Sequence, residues 1–243
     1  MDYFRLKYAD YCTESYLLFC FEENFVSLAI FDLDNTLLAG DSDHLWGEFL
    51  VEQGVVDGDL YQRQNDEYYE QYKQGSLDIH EFLAFSLKPL SQHPVELLWQ
   101  WRETFIEQKI RPIMLPKSEA LLAKHKAQGD TLMIITATND FVTGPIAEAL
   151  GVDNLIATRA EFINNAYTGK VAGIPCFQHG KVDNLQSWLA ENNETLQESW
   201  FYSDSANDIP LLDQVTYPVA VDADERLTRH AMQKNWPIMS LRD

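Results

Sequence analysis

The sequence predicts an α/β fold, in which a parallel β-sheet is covered by helices on both faces and an all-helical segment follows the first strand. Two observations lead to this prediction. From residue 116 onward, short continuous apolar segments alternate with amphipathic ones, as in buried parallel strands separated by helices. Residues 42–112 instead show only helical spacing, with apolar side chains three and four residues apart. We therefore expect a sheet interrupted by a four-helix bundle.

The first strand begins at residue 25, and it defines the predicted domains. Residues 1–24 are rich in aromatic side chains and are interpreted as an N-terminal extension. Residues 25–41 and 113–243 are assigned to a Rossmann-like sheet domain. Residues 42–112 are assigned to an inserted helical cap domain, with internal breaks at several glycines.

The elements after the insertion follow in a regular order. A helix is predicted from Pro116 to Gly129, since proline favours the first turn and glycine the end of a helix. The remaining prediction is a strand over 131–136, a helix over 140–150, a strand over 154–158, a hairpin over 161–179, a helix over 181–193, a strand over 199–203, a helix near 206–214, a strand over 218–221, a last helix and a terminal strand over 237–241.

Composition and charge narrow the classes of function. The 243 residues are 46% hydrophobic and 23% charged, as in a soluble globular protein. The formal net charge is −20 without a Lys/Arg cluster, so we expect no binding to nucleic acid or to an anionic membrane. We also expect no transmembrane segment and no signal peptide. Three sparse cysteines fit a reducing compartment, so the predicted location is cytoplasmic, and the oligomeric state stays open.

Polar residues follow several predicted strands at their carboxyl ends, where open α/β sheets bind ligands. The first strand ends in Asp32 and Asp34, the next in Thr136, and a later one in Asp204 and Asp208. Lys181 stands at the start of the helix that precedes this later strand. We expect these side chains to converge, although they are far apart in the sequence.

Such a set of side chains suits phosphoryl transfer. A carboxylate can act as nucleophile, Thr136 can donate a hydrogen bond to a phosphoryl oxygen, and Lys181 adds positive charge. Mg²⁺ prefers carboxylate oxygens, and it would relieve the repulsion among Asp32, Asp204 and Asp208. We therefore expect a small phosphorylated metabolite as substrate and Mg²⁺ as cofactor. Ordinary structural interpretations also exist, such as helix capping by the acids near residue 204.

The same residues resemble the four motifs of the haloacid dehalogenase-like (HAD) phosphohydrolases, in the order of that family, over residues 25–241. DLDNT resembles the first motif, a strand ending in Thr136 the second, Lys181 the third and SDSANDIPLL the fourth. Ser203 stands where the fourth motif often has Gly. The helical insertion resembles subfamily IB, which contains phosphoserine phosphatases. GDSDHLWGEFL, IITATNDFVTGPIA and FYSDSANDIPLL are similar to histidinol-phosphatase-like members.

The resemblance implies a role for individual residues. Asp32 would be the nucleophile that forms an aspartyl-phosphate, and Asp34 would be the acid/base. Mg²⁺ would be held by Asp32, Asp204 and the main-chain carbonyl of Asp34, with Asp208 and Asn207 in support. The implied activity is a Mg²⁺-dependent phosphomonoesterase, with histidinol phosphate as the leading substrate and phosphoserine as the alternative.

Three other functions are weighed against this one. A dehalogenase of this fold would not need Asp34. A phosphatidylglycerophosphate phosphatase would need a basic or membrane-binding face, which the charge of −20 disfavours. A catalytically inactive binding protein would be expected to lose one of the four motifs, and none is lost.

Several further residues have two interpretations. Asp41 either caps the first helix of the insertion or binds the ammonium group of a substrate, as an acid near this position does in phosphoserine phosphatases. Thr138 and Asn139 are interpreted as turn and helix-cap residues. The candidates for a phosphate or carboxylate contact from the cap are Arg63, Arg102 and Arg111.

Overall fold

The computed structural model describes residues 27–242, so the predicted extension, residues 1–24, lies outside the described residues. The strands are β1 (Leu28–Phe31), β2 (Thr131–Asn139), β3 (Asn154–Thr158), β4 (Ala160–Ile163), β5 (Ala166–Val171), β6 (Trp200–Ser203), β7 (Tyr217–Val221) and β8 (Ile238–Met239). The α-helices are α1 (Ser42–Glu52), α2 (Gly58–Gln74), α3 (Ile79–Ser86), α4 (Val95–Phe105), α5 (Pro116–Gln128), α6 (Asp140–Ala149), α7 (His179–Asn192), α8 (Ile209–Leu212) and α9 (Glu225–Lys234).

Six strands form one parallel sheet in the order β3-β2-β1-β6-β7-β8. β1 is central, because Phe31 pairs with Ile134 of β2 on one side and with Tyr202 of β6 on the other. Since the neighbouring strands are parallel, their carboxyl ends lie at the same edge of the sheet. This edge holds the candidate site.

Alternating side chains of β1 contribute to two hydrophobic cores. Leu28 and Ile30 pack on one face with residues of α7, α8 and α9. Ala29 and Phe31 pack on the other face with residues of α5, α6 and the inserted helices. A strand that is buried on both faces needs a continuous apolar sequence, which LAIF provides. The predicted fold class, a parallel sheet with helices on both faces, is confirmed.

Between β1 and α5 the chain forms α1–α4, with a 3₁₀ turn (Lys88–Gln92) between α3 and α4 and a π-helical turn (Ile106–Ile110) after α4. The Trp46 ring of α1 contacts Phe105 of α4 and Phe141 of α6, at centroid distances of 5.2 and 5.6 Å. α2 takes little part in this packing, because Asn65 is its one buried residue. The assignment of residues 42–112 to a separate cap domain remains a prediction.

Several predicted elements have different bounds in the structure. β2 continues past residue 136 to Asn139, because an irregularity in its pairing with β3 brings Asn139 opposite Thr158. The predicted helix near 206–214 is a 3₁₀ turn (Ala206–Asp208) followed by the four-residue α8. The terminal strand is the two-residue β8, because two residues of β7 pair with it.

The hairpin predicted over 161–179 is present but shorter, because β4 and β5 pair antiparallel between Ala160 and Val171 and α7 already begins at His179. Its two-residue turn is made by Asn164 and Asn165, both at positive φ, as hairpin turns of this length require. Over residues 27–242, none of the helices combines the length and the apolar character needed to cross a bilayer.

Candidate active site

The turn after β1 places Asp32 and Asp34 at the carboxyl edge of the sheet. The Asp32 N–H donates to the Tyr202 carbonyl at 2.9 Å, which continues the pairing with β6. Asn35 then adopts φ 58°, and its N–H donates to the Gly40 carbonyl at 2.8 Å, which closes the loop. Both carboxylates are buried, Asp32 with 3% and Asp34 with 8% of its surface exposed.

Lys181, in the first turn of α7, neutralises part of this buried charge. Its Nζ lies 2.8 Å from Asp32 Oδ1 and 2.8 Å from Asp208 Oδ2. Burial opposes the charge of Lys181, but the carboxylates of Asp208 and Asp32 outweigh it and raise the pKa of the lysine. Ser203, which stands where the family often has Gly, donates to Asp208 Oδ2 at 2.7 Å.

Thr36 joins the first and fourth motifs. Its Oγ1 lies 3.3 Å from Asp32 Oδ2 and 3.2 Å from Asp204 Oδ1, and it accepts a hydrogen bond from the Asp204 N–H at 3.0 Å. Burial, together with the charges of Asp32 and Asp208, raises the pKa of Asp204 well above its ordinary value. The two predicted metal-binding carboxylates therefore flank one hydroxyl group.

Asp34 receives three hydrogen bonds from other parts of the chain. The Ser42 N–H donates to Oδ1 at 2.6 Å, while the hydroxyls of Thr138 and Thr136 lie 2.8 and 3.3 Å from Oδ2. Burial raises the pKa of Asp34 to about 6, with a further contribution from Asp41, and the hydrogen bonds oppose this rise. Asp34 can thus hold or release a proton near neutral pH.

The sequence did not identify two hydroxyl groups of this site, those of Thr138 and Thr36. The interpretation of Thr138 as a turn residue is wrong, because β2 extends beyond it and its side chain contacts Asp34. The sequence contained a signal for this contact, because alternate side chains of a strand point to the same face, and Thr138 follows Thr136 by two residues. Asn139 caps α6 as predicted, since its Oδ1 accepts from the Val142 N–H at 3.2 Å.

A pocket of about 520 Å³, including its open mouth, lies over Asp32, Asp34 and Thr136. Its far wall comes from α1, α2 and α3, and the residues of this wall are Asp41, Asp43, His44, Asn65, Tyr68, Tyr69, Tyr72, Leu77, Ile79 and Phe82. Within the described part of the chain, no lysine or arginine lines this pocket. The wall opposite the phosphate motifs is therefore acidic and aromatic.

For Asp41, the helix-cap interpretation is confirmed, and the contact with a substrate ammonium group stays a prediction. Asp41 is the N-cap of α1, because its Oδ1 accepts from the His44 N–H at 2.8 Å. It also lines the pocket, and burial raises its pKa to about 6, with a further contribution from Asp32. Capping uses one carboxylate oxygen, so it does not exclude a contact between Asp41 and a substrate.

Other predicted residues lie at the margin of the pocket or away from it. Asp204 lines an adjoining cleft, which shares Tyr69 and Tyr72 with the pocket. Asn207 donates through Nδ2 to the Tyr72 carbonyl at 3.1 Å, and its Oδ1 accepts from Gln178 at 3.2 Å. The three arginines do not line the pocket, and their side chains contact Asp59, Phe141 and Glu107 instead (Arg63, Arg102 and Arg111, respectively).

The motifs and the fold coincide with a family model described as haloacid dehalogenase-like hydrolase, which matches residues 29–213. The chain belongs to this family. It is 41% identical to a histidinol-phosphatase of Neisseria meningitidis over 220 residues, which cover 89% of this chain and 99% of that protein. It is 28% identical to the phosphoserine phosphatase SerB1 of Mycobacterium tuberculosis, over 88% of this chain and 70% of that protein.

Solved structures of other proteins have the same fold as this chain. A protein of unknown function from Bordetella pertussis matches with a TM-score of 0.84 and 41% identity, over 88% of this chain and 98% of that one. A substrate-bound phosphoserine phosphatase matches with a TM-score of 0.65 at 19% identity, over 89% and 93%, which shows the common fold. The predicted family and the predicted enzyme class, a phosphatase, are confirmed.

The donor set of this haloacid dehalogenase-like hydrolase fits a hard divalent cation. Among the residues described, no three His, Cys, Asp or Glu side chains are grouped as a ready metal site. The predicted set needs only two side chains, Asp32 and Asp204, because its third protein ligand is a main-chain carbonyl. Among the described residues, Lys181 contacts the buried acids Asp32 and Asp208, and the charges of both acids act on the nearby Asp204, so negative charge is in excess at this position. Mg²⁺ suits such oxygen donors.

Proposed function

We propose that this phosphatase is a Mg²⁺-dependent phosphomonoesterase that acts through an aspartyl-phosphate on Asp32. The observation that carries the proposal is the ion-paired Asp32 carboxylate, 2.8 Å from Lys181 Nζ, at the base of a pocket that Asp34 and Thr136 also line. A carboxylate held in a fixed direction is suited to in-line attack on phosphorus. Lys181 adds positive charge where negative charge spreads over the phosphoryl group.

In the first half-reaction, a carboxylate oxygen of Asp32 attacks phosphorus, and the bond between phosphorus and the leaving oxygen breaks. Asp34 gives its proton to that oxygen, so an alcohol leaves. In the second half-reaction, Asp34 takes a proton from water as the water oxygen attacks phosphorus. The bond between phosphorus and Asp32 then breaks, and inorganic phosphate and the Asp32 carboxylate are released. A pKa of about 6 for Asp34 serves both proton transfers.

Thr136 and Lys181 are proposed to bind phosphoryl oxygens. The Thr136 hydroxyl lies 3.3 Å from Asp34 Oδ2, a long contact that it can exchange for a phosphoryl oxygen. Thr138, at 2.8 Å, then remains the donor that holds Asp34 in place. Thr136 is thus proposed to bind the phosphate, and Thr138 to position the Asp34 carboxylate.

Mg²⁺ is proposed to bind to Asp32, Asp204 and the main-chain carbonyl of Asp34. When bound, the ion neutralises negative charge on the phosphoryl group. Asp208 supports the site by orienting Lys181, since both of its carboxylate oxygens lie 2.8 Å from Lys181 Nζ. Asn207 is proposed to hold the same loop through its bond to the Tyr72 carbonyl.

Histidinol phosphate is proposed as the substrate in preference to phosphoserine. Phosphoserine carries a carboxylate beside its ammonium group, and a buried carboxylate needs a cationic partner. The described lining of the pocket has no lysine or arginine, whereas Asp41 and Asp43 contribute carboxylates. Histidinol phosphate has an ammonium group and an imidazole ring but no carboxylate, so it complements this wall. The similarity to a histidinol-phosphatase supports the same choice.

The other functions receive less support. A phosphatidylglycerophosphate phosphatase would approach an anionic membrane, which a net charge of −20 repels. A dehalogenase would have no use for the hydrogen bonds that hold Asp34. An inactive binding protein would not need the ion pairs of Lys181 with Asp32 and Asp208, which keep a nucleophile in place.

The end of α2 is proposed to close over the substrate as part of a cap. Tyr69 and Tyr72 of α2 line the pocket. The carbonyl of Tyr72 accepts from Asn207 and that of Gln74 from Arg226, each at 3.1 Å, so two hydrogen bonds join this helix end to the turn after β6 and to the start of α9. Breaking them would open the pocket, and forming them would exclude water from the phosphoryl group.

A steady-state assay on a panel of phosphate esters tests the proposal. We expect histidinol phosphate to have a higher kcat/KM than phosphoserine, glycerol phosphate or 4-nitrophenyl phosphate. We expect EDTA to abolish turnover and excess Mg²⁺ to restore it. A higher kcat/KM for phosphoserine would make phosphoserine, and not histidinol phosphate, the substrate. Full activity in EDTA would exclude the proposed role of Mg²⁺.

A further inference from the structure

Asp43 is a pocket carboxylate that the proposed mechanism does not use. It lies in the first turn of α1, two residues after the N-cap Asp41, and its side chain lines the same pocket. Only 9% of its surface is exposed, and among residues 27–242 its buried Oδ1 has no hydrogen-bond partner. A buried carboxylate oxygen without a donor is costly, so a position of this kind indicates a missing partner.

The charged groups nearest to Asp43 do not supply that partner. Asp41 and Asp34 are themselves acids. Burial raises the pKa of Asp43 well above its ordinary value, and the negative charges of Asp41 and Asp34 add to this rise. The negative charge of Asp43 contributes to the raised pKa of the Tyr61 phenol, yet no hydrogen bond joins the two side chains.

His44 is the remaining basic side chain of the pocket wall, and it is held by other groups. Its Nδ1 lies 3.1 Å from Asn65 Nδ2, and its Nε2 lies 3.5 Å from Glu48 and 3.6 Å from Asp66. Its ring also stacks on Tyr69 at a centroid distance of 4.6 Å. His44 therefore faces the acids on the outer side of α1 and α2, and the described part of the chain supplies no donor to Asp43 Oδ1.

We propose that Asp43 determines specificity by accepting a hydrogen bond from a second N–H group of the leaving alcohol, while Asp41 binds its ammonium group. The substrate class is then the phosphate esters of alcohols that carry an amine and a second basic or N–H-bearing group, such as an imidazole ring. The aromatic side chains of Tyr68, Tyr69 and Phe82 provide flat apolar walls for such a ring. This inference rests on the proposed function and adds Asp43 to it.

The test compares Asp43→Asn and Asp41→Asn on three substrates. The substrates are histidinol phosphate, with amine and imidazole; 2-aminoethyl phosphate, with the amine alone; and 4-nitrophenyl phosphate, with neither. Asparagine replaces an acid by a neutral group of the same shape, and it remains a good N-cap at position 41. Asp66→Asn is the matched control, because it removes one negative charge from a half-exposed site of the neighbouring helix.

We expect D43N to lower kcat/KM for histidinol phosphate about 10- to 100-fold, mainly through KM, since a hydrogen bond to a charged group contributes about 1.5–3 kcal/mol. The loss should be less than about threefold for 2-aminoethyl phosphate and absent for 4-nitrophenyl phosphate. D41N should weaken both amine substrates, and D66N none. Equal losses of D43N on all three substrates, or an unchanged kcat/KM for histidinol phosphate, would overturn the proposal.

Calorimetric binding of L-histidinol, the product alcohol, separates this inference from the proposed function. We expect D43N to weaken binding at least about tenfold relative to the unsubstituted protein and to D66N, whether or not any phosphate ester is hydrolysed. If L-histidinol binding depends on Asp43 but no phosphate ester is hydrolysed, the proposed function would be overturned and the role of Asp43 would stand. Equal binding by both proteins, or no binding by either, would overturn the role of Asp43.

Discussion

At the scale of single residues, the Thr138 hydroxyl influences the protonation of Asp34. Its 2.8 Å hydrogen bond to Asp34 Oδ2 favours the ionised acid and so limits the rise in pKa caused by burial. We expect Thr138→Val to raise the pKa of Asp34 from about 6 by about one unit, because a hydrogen bond to a charged group contributes roughly 1.5 kcal/mol. The measurement is the pH dependence of kcat/KM.

The first half-reaction needs protonated Asp34, so kcat/KM should fall as pH rises through the pKa of this residue. In the T138V variant, that fall should move to higher pH. Thr143→Val is the matched control, since this buried hydroxyl donates its hydrogen bond to the Asn139 carbonyl rather than to an acid. A pH profile of T138V that superposes on that of T143V would contradict the role of Thr138.

Lys181 is the residue on which the buried charge balance depends. Replacing it with Met would leave Asp32 and Asp208 buried without their cation. We expect K181M to lose turnover and to lower the free energy of unfolding by about 3–5 kcal/mol, as for a broken buried ion pair. Urea denaturation measures the loss, and adding Asp208→Asn should restore part of it because one unpaired charge is removed.

The control for K181M is Lys109→Met, because Lys109 pairs with Glu52 at 2.7 Å near the surface. Such exposed pairs contribute about 0–1 kcal/mol, so K109M should be close to the unsubstituted protein. A K181M protein that is as stable as K109M would contradict the expected destabilisation by the unpaired carboxylates of Asp32 and Asp208.

At the scale of elements, the start of α7 must approach the preceding loop closely. A Cβ atom on Gly180 would lie 2.0 Å from the Pro175 carbonyl oxygen, so a side chain there would displace backbone. Because Lys181 follows directly, Gly180→Ala should move its ammonium group away from Asp32. We expect a loss of roughly 1–3 kcal/mol in stability and a larger relative loss in kcat than in substrate binding.

Gly58→Ala, at the start of α2, provides the matched control for G180A. A Cβ atom at this position would meet Val51 at 3.6 Å, an ordinary contact, so we expect a neutral or slightly stabilising effect. Thermal denaturation and steady-state kinetics of both variants measure the difference. Normal kcat in G180A would contradict the proposed dependence of Lys181 on this close approach.

The sequence predicted most elements because each carries its own local signal. β1 is a continuous apolar run, and α5 has proline in its first turn and Gly129 after its last residue. The elements with wrong bounds depend on partners elsewhere in the chain. β2 reaches Asn139 through its pairing with Thr158, and β8 is limited by the length of its pairing with β7.

The site was predictable where it depends on strand ends, since parallel strands bring their carboxyl ends together. Asp32, Asp34 and Thr136 line one pocket for this reason. The pocket wall from α2 was not predictable, because no local pattern says which face of an inserted helix covers a distant strand. The bond between Asn207 and Tyr72 joins residues 135 positions apart, and only the folded chain shows it.

At the scale of the whole molecule, the buried acids should make stability depend on pH and on Mg²⁺. Burial is the main factor that raises the pKa values of Asp34, Asp41 and Asp208 from 3.8 to about 6. Their stabilising contribution in the metal-free protein is fully present below about pH 4 and is lost as pH rises through about 6. We expect Mg²⁺ to stabilise the fold more at pH 7 than at pH 5.

Urea denaturation at both pH values, with EDTA and with Mg²⁺, measures this effect. The control is Asp34→Asn, which cannot titrate at position 34 and should therefore show a shallower loss of stability between pH 5 and pH 7 in EDTA. The same pH dependence in D34N and in the unsubstituted protein would contradict the assignment of the raised pKa to Asp34.

The most direct test of the central claim is to trap the covalent intermediate. The protein is mixed with its best substrate and Mg²⁺, quenched in acid within one turnover, and digested for mass spectrometry. We predict one phosphoryl group on the peptide that contains Asp32, and neither phosphoryl group nor turnover in Asp32→Asn. Full turnover by D32N, or rapid hydrolysis without a phosphorylated Asp32 peptide, would contradict the account.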